Sequence, residues 1–324
     1  MNNNNNNTIE NTSSYSKIIN LEYHSDIIQF IYILKNGYLI SCSNDGSLII
    51  YEKDTFDFFL KVKINDYWIY YCIENYINNI IFCSGDGNIY VAYINYNMKN
   101  YNIKQIIHAH KASINKIIEF KKKLISVSFD KKMIIFNINN NYDYYIETII
   151  ENSFESECII SIKKTNQIIS SSAFENSIKF INFYTLEKTF VFKGIFVGYY
   201  HSIISKNEEK NLIFVTGTKR TENGLTIINF ILFNILAQIK FYDDGFINSL
   251  YYINNSDYIL IGKKIGDNIF IIKYKIEINN YNNEYELIEF GKIKEKSNEK
   301  IRTILLLNNL IIIGSENIKI FSKI

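Results

Sequence analysis

A short hairpin motif comes back seven times along this chain at nearly even intervals. Its first copy, residues 36–51, reads Asn-Gly-Tyr-Leu-Ile-Ser-Cys-Ser-Asn-Asp-Gly-Ser-Leu-Ile-Ile-Tyr. Two apolar runs flank a tight polar turn at Asn44, Asp45 and Gly46. Asn, Asp and Gly tolerate the left-handed backbone that tight turns require, so this order of residues specifies a β-hairpin. The motif returns at 79–91, 123–136 and 167–180, and in weaker form at 211–228, 258–272 and 310–321. The residues opening the second run are Ser47, Asn88, Lys132, Ser177, Leu225, Asn268 and Asn317, at steps of 41, 44, 45, 48, 43 and 49.

One further apolar strand precedes each hairpin, as at 27–34, 114–120 and 246–253, and another follows it, as at 56–64 and 187–192. Four strands per unit at a period of about 45 residues is the pattern of propeller blades. A two-domain sandwich would not hold one step through the whole chain. The last unit ends after its third strand, while residues 16–23 form an apolar strand ahead of the first unit. Pairing that strand with 317–321 would complete the seventh blade and remove an open sheet edge. The expected fold is all-β: a seven-bladed β-propeller of four-stranded antiparallel blades, closed by the N-terminal strand. An Asn-rich tail over 1–14 would precede a single domain over 15–324.

Composition supports strands. The chain holds 67 Ile, 26 Tyr and 23 Phe and no proline, and β-branched and aromatic side chains suit a pleated, half-buried surface. Thirty-five Lys and Arg against 33 Asp and Glu leave a formal charge of +2, too even to mark a nucleic-acid or membrane-surface binder. The longest apolar run, 225–236, is interrupted by Asn229 and Asn234 and falls short of a membrane span. Asn2 to Asn7 introduce no basic start or apolar stretch of the kind a secretory signal needs. An intracellular, cytoplasmic location is therefore expected, with the nucleus open. Cys42, Cys72, Cys83 and Cys158 form no close pair, so they read as small buried hydrophobes in place of zinc ligands.

The units resemble WD40 repeats over residues 16–324. His24, Ser41 and Asp45 in the first copy, and His110, Ser126 and Asp130 in the third, stand where that family keeps a His, a Ser and an Asp. The resemblance implies that these groups form a hydrogen-bonded chain with an aromatic residue of the third strand, here Tyr51 and Phe136. Other copies depart from it: Asn65 and Ala92 replace the His and Trp of the second, and the fourth carries Glu175 and Ile181. With no histidine to hold, Glu175 is expected to matter less than Asp130. No Trp-Asp dipeptide occurs.

Candidate chemistry is sparse. His108 and His110 would share one side of an extended segment, but no third ligand lies near, and no metal or cofactor is expected. Gly217-Thr-Lys219 lacks the upstream glycine of a phosphate loop, since Leu212 stands there. Lys121–Lys123 and Lys131–Lys132 fall in turns at opposite ends of one blade and cannot form a single patch. No carboxylate pair or nucleophilic triad emerges, so no catalysis is expected.

Apolar residues in turns are the best functional signal. Phe129 precedes Asp130 and Phe174 precedes Glu175, where Asn44 and Gly85 stand in the first two copies. Phenylalanine gives a tight turn no benefit, so each ring either folds back onto its blade or serves a partner. The family resemblance places this position on the rim that commonly contacts other proteins. Trp68, opening the second unit, is either core or rim. The expected partner surface comprises Asn44, Gly85, His108, Lys111, Phe129, Phe174 and Trp68. The expected function is a non-catalytic scaffold binding other proteins. Its rivals are a module recognising a basic or phosphorylated peptide or nucleic acid, and a propeller enzyme with polar groups converging in its channel. A small-molecule ligand is not expected.

Overall fold

The computed structural model describes residues 15–152, 155–156, 158–172, 175–194, 203–219, 222–241, 245–253, 256–278, 285–296 and 300–323. Their strands assemble into seven four-stranded antiparallel sheets arranged as the blades of a propeller. The innermost strands are Ile28–Ile33, Ile69–Glu74, Ile114–Phe120, Cys158–Ile162, Ile203–Asn207, Phe246–Tyr252 and Thr303–Leu307, for blades 1 to 7 in turn. Each touches the innermost strand of the next blade, and the seventh touches the first.

Closure uses both ends of the chain. Strand Tyr15–Leu21 pairs antiparallel with Ile318–Lys323, setting Leu21 against Ile318, so blade 7 takes its outermost strand from the N-terminal side. The Ile28 N–H donates to the Ser315 carbonyl at 2.6 Å across the junction of blades 1 and 7. The 1–14 segment lies outside the described residues.

The core is divided among the blade interfaces. Seven apolar clusters occur, one between each pair of neighbours, including Leu39 and Ile49 of blade 1 packed with Ile312 and Ile320 of blade 7. The middle strands of a blade are covered on both faces, which is why Leu39–Ser43 and Ile80–Ser84 are buried along their whole length. The outer strands alternate, as in Asn100–His108.

Turns explain part of the asparagine. Between strands one and two the chain turns through positive φ: Gly37 at 90°, Asn78 at 62°, Lys121 at 52° and Lys122 at 64°, Asn166 at 53°, Asn211 at 60° and Asn308 at 53°. Asparagine enters the left-handed region more readily than other non-glycine residues, so it does here what glycine does elsewhere.

Two expectations shift. The third strand of blade 5 is Glu222–Asn229, opening three residues before Leu225, because Glu222 already pairs with Lys219 of the second strand. In blade 4 four residues separate the strand ending at Ser172 from the one opening at Ser177, against three at the same place in blades 1 to 3. Phe174 therefore matches Phe129 only when counted back from the acid. It lies outside the described residues.

Candidate functional site

The rim is built where the loop entering a blade crosses the hairpin between that blade's second and third strands. Backbone bonds define equivalent positions. The Asn44, Gly85 and Phe129 N–H groups donate to the carbonyls of Ile27, Trp68 and Ser113 at 2.9, 2.8 and 3.1 Å. Neighbouring blades also interlock: a Cβ on Gly46 would meet the Asn65 carbonyl at 2.3 Å, and one on Gly87 the His110 carbonyl at 2.3 Å. Both glycines have positive φ, so space and backbone exclude other residues together.

A polar latch fixes the loop to the hairpin. In blade 1, His24 Nδ1 lies 2.9 Å from Asp45 Oδ2, His24 Nε2 lies 2.7 Å from Ser41 Oγ, and Ser41 Oγ lies 3.1 Å from the Tyr51 hydroxyl. With Asp45 ionised, Nδ1–H donates to it, Nε2 accepts the Ser41 O–H, and Ser41 accepts the Tyr51 O–H. Asp45 also accepts the Ser25 and Ser47 N–H groups. Burial alone would raise the Asp45 carboxyl, but its bonds to His24 and Ser47 outweigh that and hold it far below the carboxylate range. Blade 3 repeats the device: His110 Nδ1 lies 3.0 Å from Asp130 and Nε2 lies 2.7 Å from Ser126 Oγ. Phe136 adds no donor there. Burial holds the His110 imidazole below its ordinary value, against the pull of Asp130.

Blades 2 and 4 take a donor from their own third strands, and blade 2 keeps a donor on its entering loop as well. The Tyr90 hydroxyl donates to Asp86 Oδ2 at 2.7 Å, and Asn65 Nδ2 reaches the same oxygen at 2.9 Å. Phe82, at the serine position, stacks on Tyr90 with centroids 5.2 Å apart. In blade 4, Glu175 Oε2 meets the buried Lys179 Nζ at 2.5 Å and accepts the Ser177 hydroxyl at 2.8 Å. Lacking a histidine thus does not leave Glu175 idle, contrary to expectation. Tyr90 and Lys179 each stand four residues after their acid.

Along blades 2 and 3 the rim carries exposed rings. Tyr67 is 57 % exposed, Trp68 48 % and Phe129 38 %. They are joined through Gly85, whose N–H meets Trp68 and whose carbonyl accepts the Ser113 hydroxyl at 3.1 Å, while the Ser113 carbonyl holds Phe129. Lys111 is exposed beside them, its N–H bound to Asp130. His108 is exposed and its Nδ1 lies 2.8 Å from Asn88 Oδ1.

Two expectations are corrected, and one residue is added. Asn44 turns inward, is 8 % exposed and accepts Gln29 Nε2 at 2.7 Å, so it offers a partner little. His108 and His110 do not face one way, because the strand ends at His108 and the chain then turns to bury the His110 side chain. Tyr67 was not singled out, although two aromatics following Asn65-Asp66 break turn chemistry just as Phe129 does. Among the described residues no cluster of His, Cys, Asp and Glu has metal-site geometry, and no helix is long and apolar enough to cross a membrane.

These features define a seven-bladed β-propeller with polar latches on the loops entering blades 1 to 3. No protein-family model matches the chain, and no curated protein matches it significantly.

Proposed function

We propose that this chain is a divergent WD40-like propeller acting as a non-catalytic scaffold that holds a partner protein on the rim of blades 2 and 3. The observation that carries this reading is the run of exposed rings Tyr67, Trp68 and Phe129 on loops whose backbones are mutually bonded. Aromatic side chains held on a rigid frame lose little conformational freedom on binding, and they dominate interface energetics. Charge near them is modest, which favours a protein surface over nucleic acid. Four free, buried cysteines suit a reducing, intracellular setting.

Capture experiments test the reading. A Trp68→Ser, Phe129→Ser double variant should keep its melting temperature and lose the main co-purifying protein, each anchor being worth roughly 2 kcal/mol or more. Tyr184→Ser, in a turn between strands three and four at the opposite ends of the blades, serves as the control. Equal loss in both variants, or retention in both, would contradict the assignment.

A further inference from the structure

The inner wall of blades 1 to 4 carries a line of contacting side chains that the scaffold reading does not use. In blades 1, 2 and 3 the innermost strand has an irregularity at its start, followed by Phe30, Tyr71 and Lys116. The Phe30 and Tyr71 rings stack with centroids 3.9 Å apart, and Lys116 Nζ lies 5.2 Å from the Tyr71 ring. Lys116 thus puts a cation where its neighbours put rings. Its Nζ donates to Cys158 Sγ at 3.3 Å, and Cys158, which opens the innermost strand of blade 4, is 5 % exposed. All four cysteines sit in apolar clusters, and burial pushes the Cys42 and Cys83 thiols up, but Cys158 has in addition the Lys116 ammonium at its sulfur. Reactive cysteines are those beside cations.

We propose that Cys158 is a hydrogen-peroxide-reactive thiol whose oxidised form closes a covalent sulfur–nitrogen bond to Lys116. In the first step the Cys158 thiolate attacks one peroxide oxygen and the O–O bond breaks. The departing hydroxide takes a proton to become water, and sulfur, oxidised by two electrons, carries a hydroxyl as sulfenic acid. In the second step the neutral Lys116 amine attacks that sulfur. The S–O bond breaks, and the hydroxyl leaves as water with one amine proton. Sulfenic acids condense with nitrogen in this way to give sulfenamides, which two thiol equivalents reduce back to thiol and amine.

The charge balance orders the steps. Burial favours the neutral Lys116 amine, yet the facing Cys158 sulfur and Tyr71 hydroxyl outweigh it and hold the amine above the ordinary lysine value. Before oxidation the pair therefore rests as ammonium beside sulfur. Conversion of thiolate to neutral sulfenic acid removes the main opposing charge, burial then prevails, and the freed amine is the nucleophile the second step needs.

The test treats the reduced full chain with hydrogen peroxide, followed by digestion and mass spectrometry without added thiol. The expected product joins the peptides bearing Lys116 and Cys158, two hydrogens lighter than their sum, and dithiothreitol separates them. Lys116→Arg keeps the charge but lacks a nucleophilic amine, so Cys158 sulfenic acid should accumulate and be trapped by dimedone. Lys116→Met removes the cation beside the sulfur and should slow oxidation of Cys158 by about threefold or more. Circular dichroism checks that both variants are folded. Equal dimedone trapping in wild type and Lys116→Arg with no joined peptide would overturn the proposal. So would oxidation of Cys158 no faster than that of Cys42, Cys72 and Cys83 in the wild-type chain.

Discussion

Blades 1 and 3 tie the entering loop to the hairpin through a histidine from the loop, blade 2 combines Asn65 of the loop with Tyr90 of its third strand, and the acid of blade 4 is held by Lys179 of its third strand. The acid is common to all four and the geometry around it is alike, with hairpin N–H groups capped by its carboxylate in blades 1, 2 and 3. The fold thus requires a carboxylate at the hairpin and a donor that reaches it. It leaves open which element supplies that donor. Because the partners differ in charge and burial, the blades should also differ in how they fail.

The largest contrast is expected in blade 4. Glu175→Ala would strand the ammonium of Lys179, which is nearly fully buried, and should cost about 3 kcal/mol in chemical denaturation. A Glu175→Gln, Lys179→Met double variant removes both charges and should recover to within about 1 kcal/mol of wild type. A small loss in the single variant would place Lys179 in solvent and dissolve the distinction.

Asp130→Ala should follow at about 2 kcal/mol, since it takes one acceptor from His110, Lys111 and Lys132 together. Tyr90→Phe removes a hydroxyl bonded to a carboxylate and should cost about 1.5 kcal/mol, while Tyr51→Phe removes only a neutral one and should cost about 0.5 kcal/mol. Blade 3 already carries Phe136 there, so a Tyr51→Phe loss as large as that of Tyr90→Phe would contradict the ranking.

The smallest effect concerns pH. Folding lowers the His110 pKa, so the unfolded chain binds the extra proton. Stability is then intact above the unfolded histidine value of about 6.5 and declines as pH falls through it toward the folded value. His110→Asn, which copies Asn65 of blade 2, should flatten the melting-temperature slope between about pH 7 and about pH 5.5. An unchanged slope would locate the titration elsewhere.

The architecture was legible because it is repeated. Five of the seven anchor residues, Ser47, Asn88, Lys132, Ser177 and Asn268, open their third strands, and the expected N-terminal strand pairs with the last one over Tyr15–Leu21, two residues short of the expected end at 23. Leu225 misled because the Glu222–Gly224 stretch is polar like a turn, yet its backbone continues the ladder. The histidine latches were readable only through the family resemblance, which assigns roles to the His, Ser and Asp positions. Those of Tyr90 and Lys179 were not, because a lone polar residue in an apolar strand does not announce which way it faces. Exposure was hardest: Asn44 and Phe129 share a position, and only packing sends one inward and leaves the other in water.

Setting Leu21 against Ile318 has a kinetic consequence. During synthesis one of the earliest strands to emerge waits for one of the last, and until then the ring is an open arc with an unpaired edge at each end. Contacts so distant in sequence are slow to form, and the exposed edges and apolar blade faces are what neighbouring chains would capture. Once the two strands meet, no blade can leave without breaking two interfaces at once. The same seam that makes folding vulnerable therefore makes unfolding cooperative.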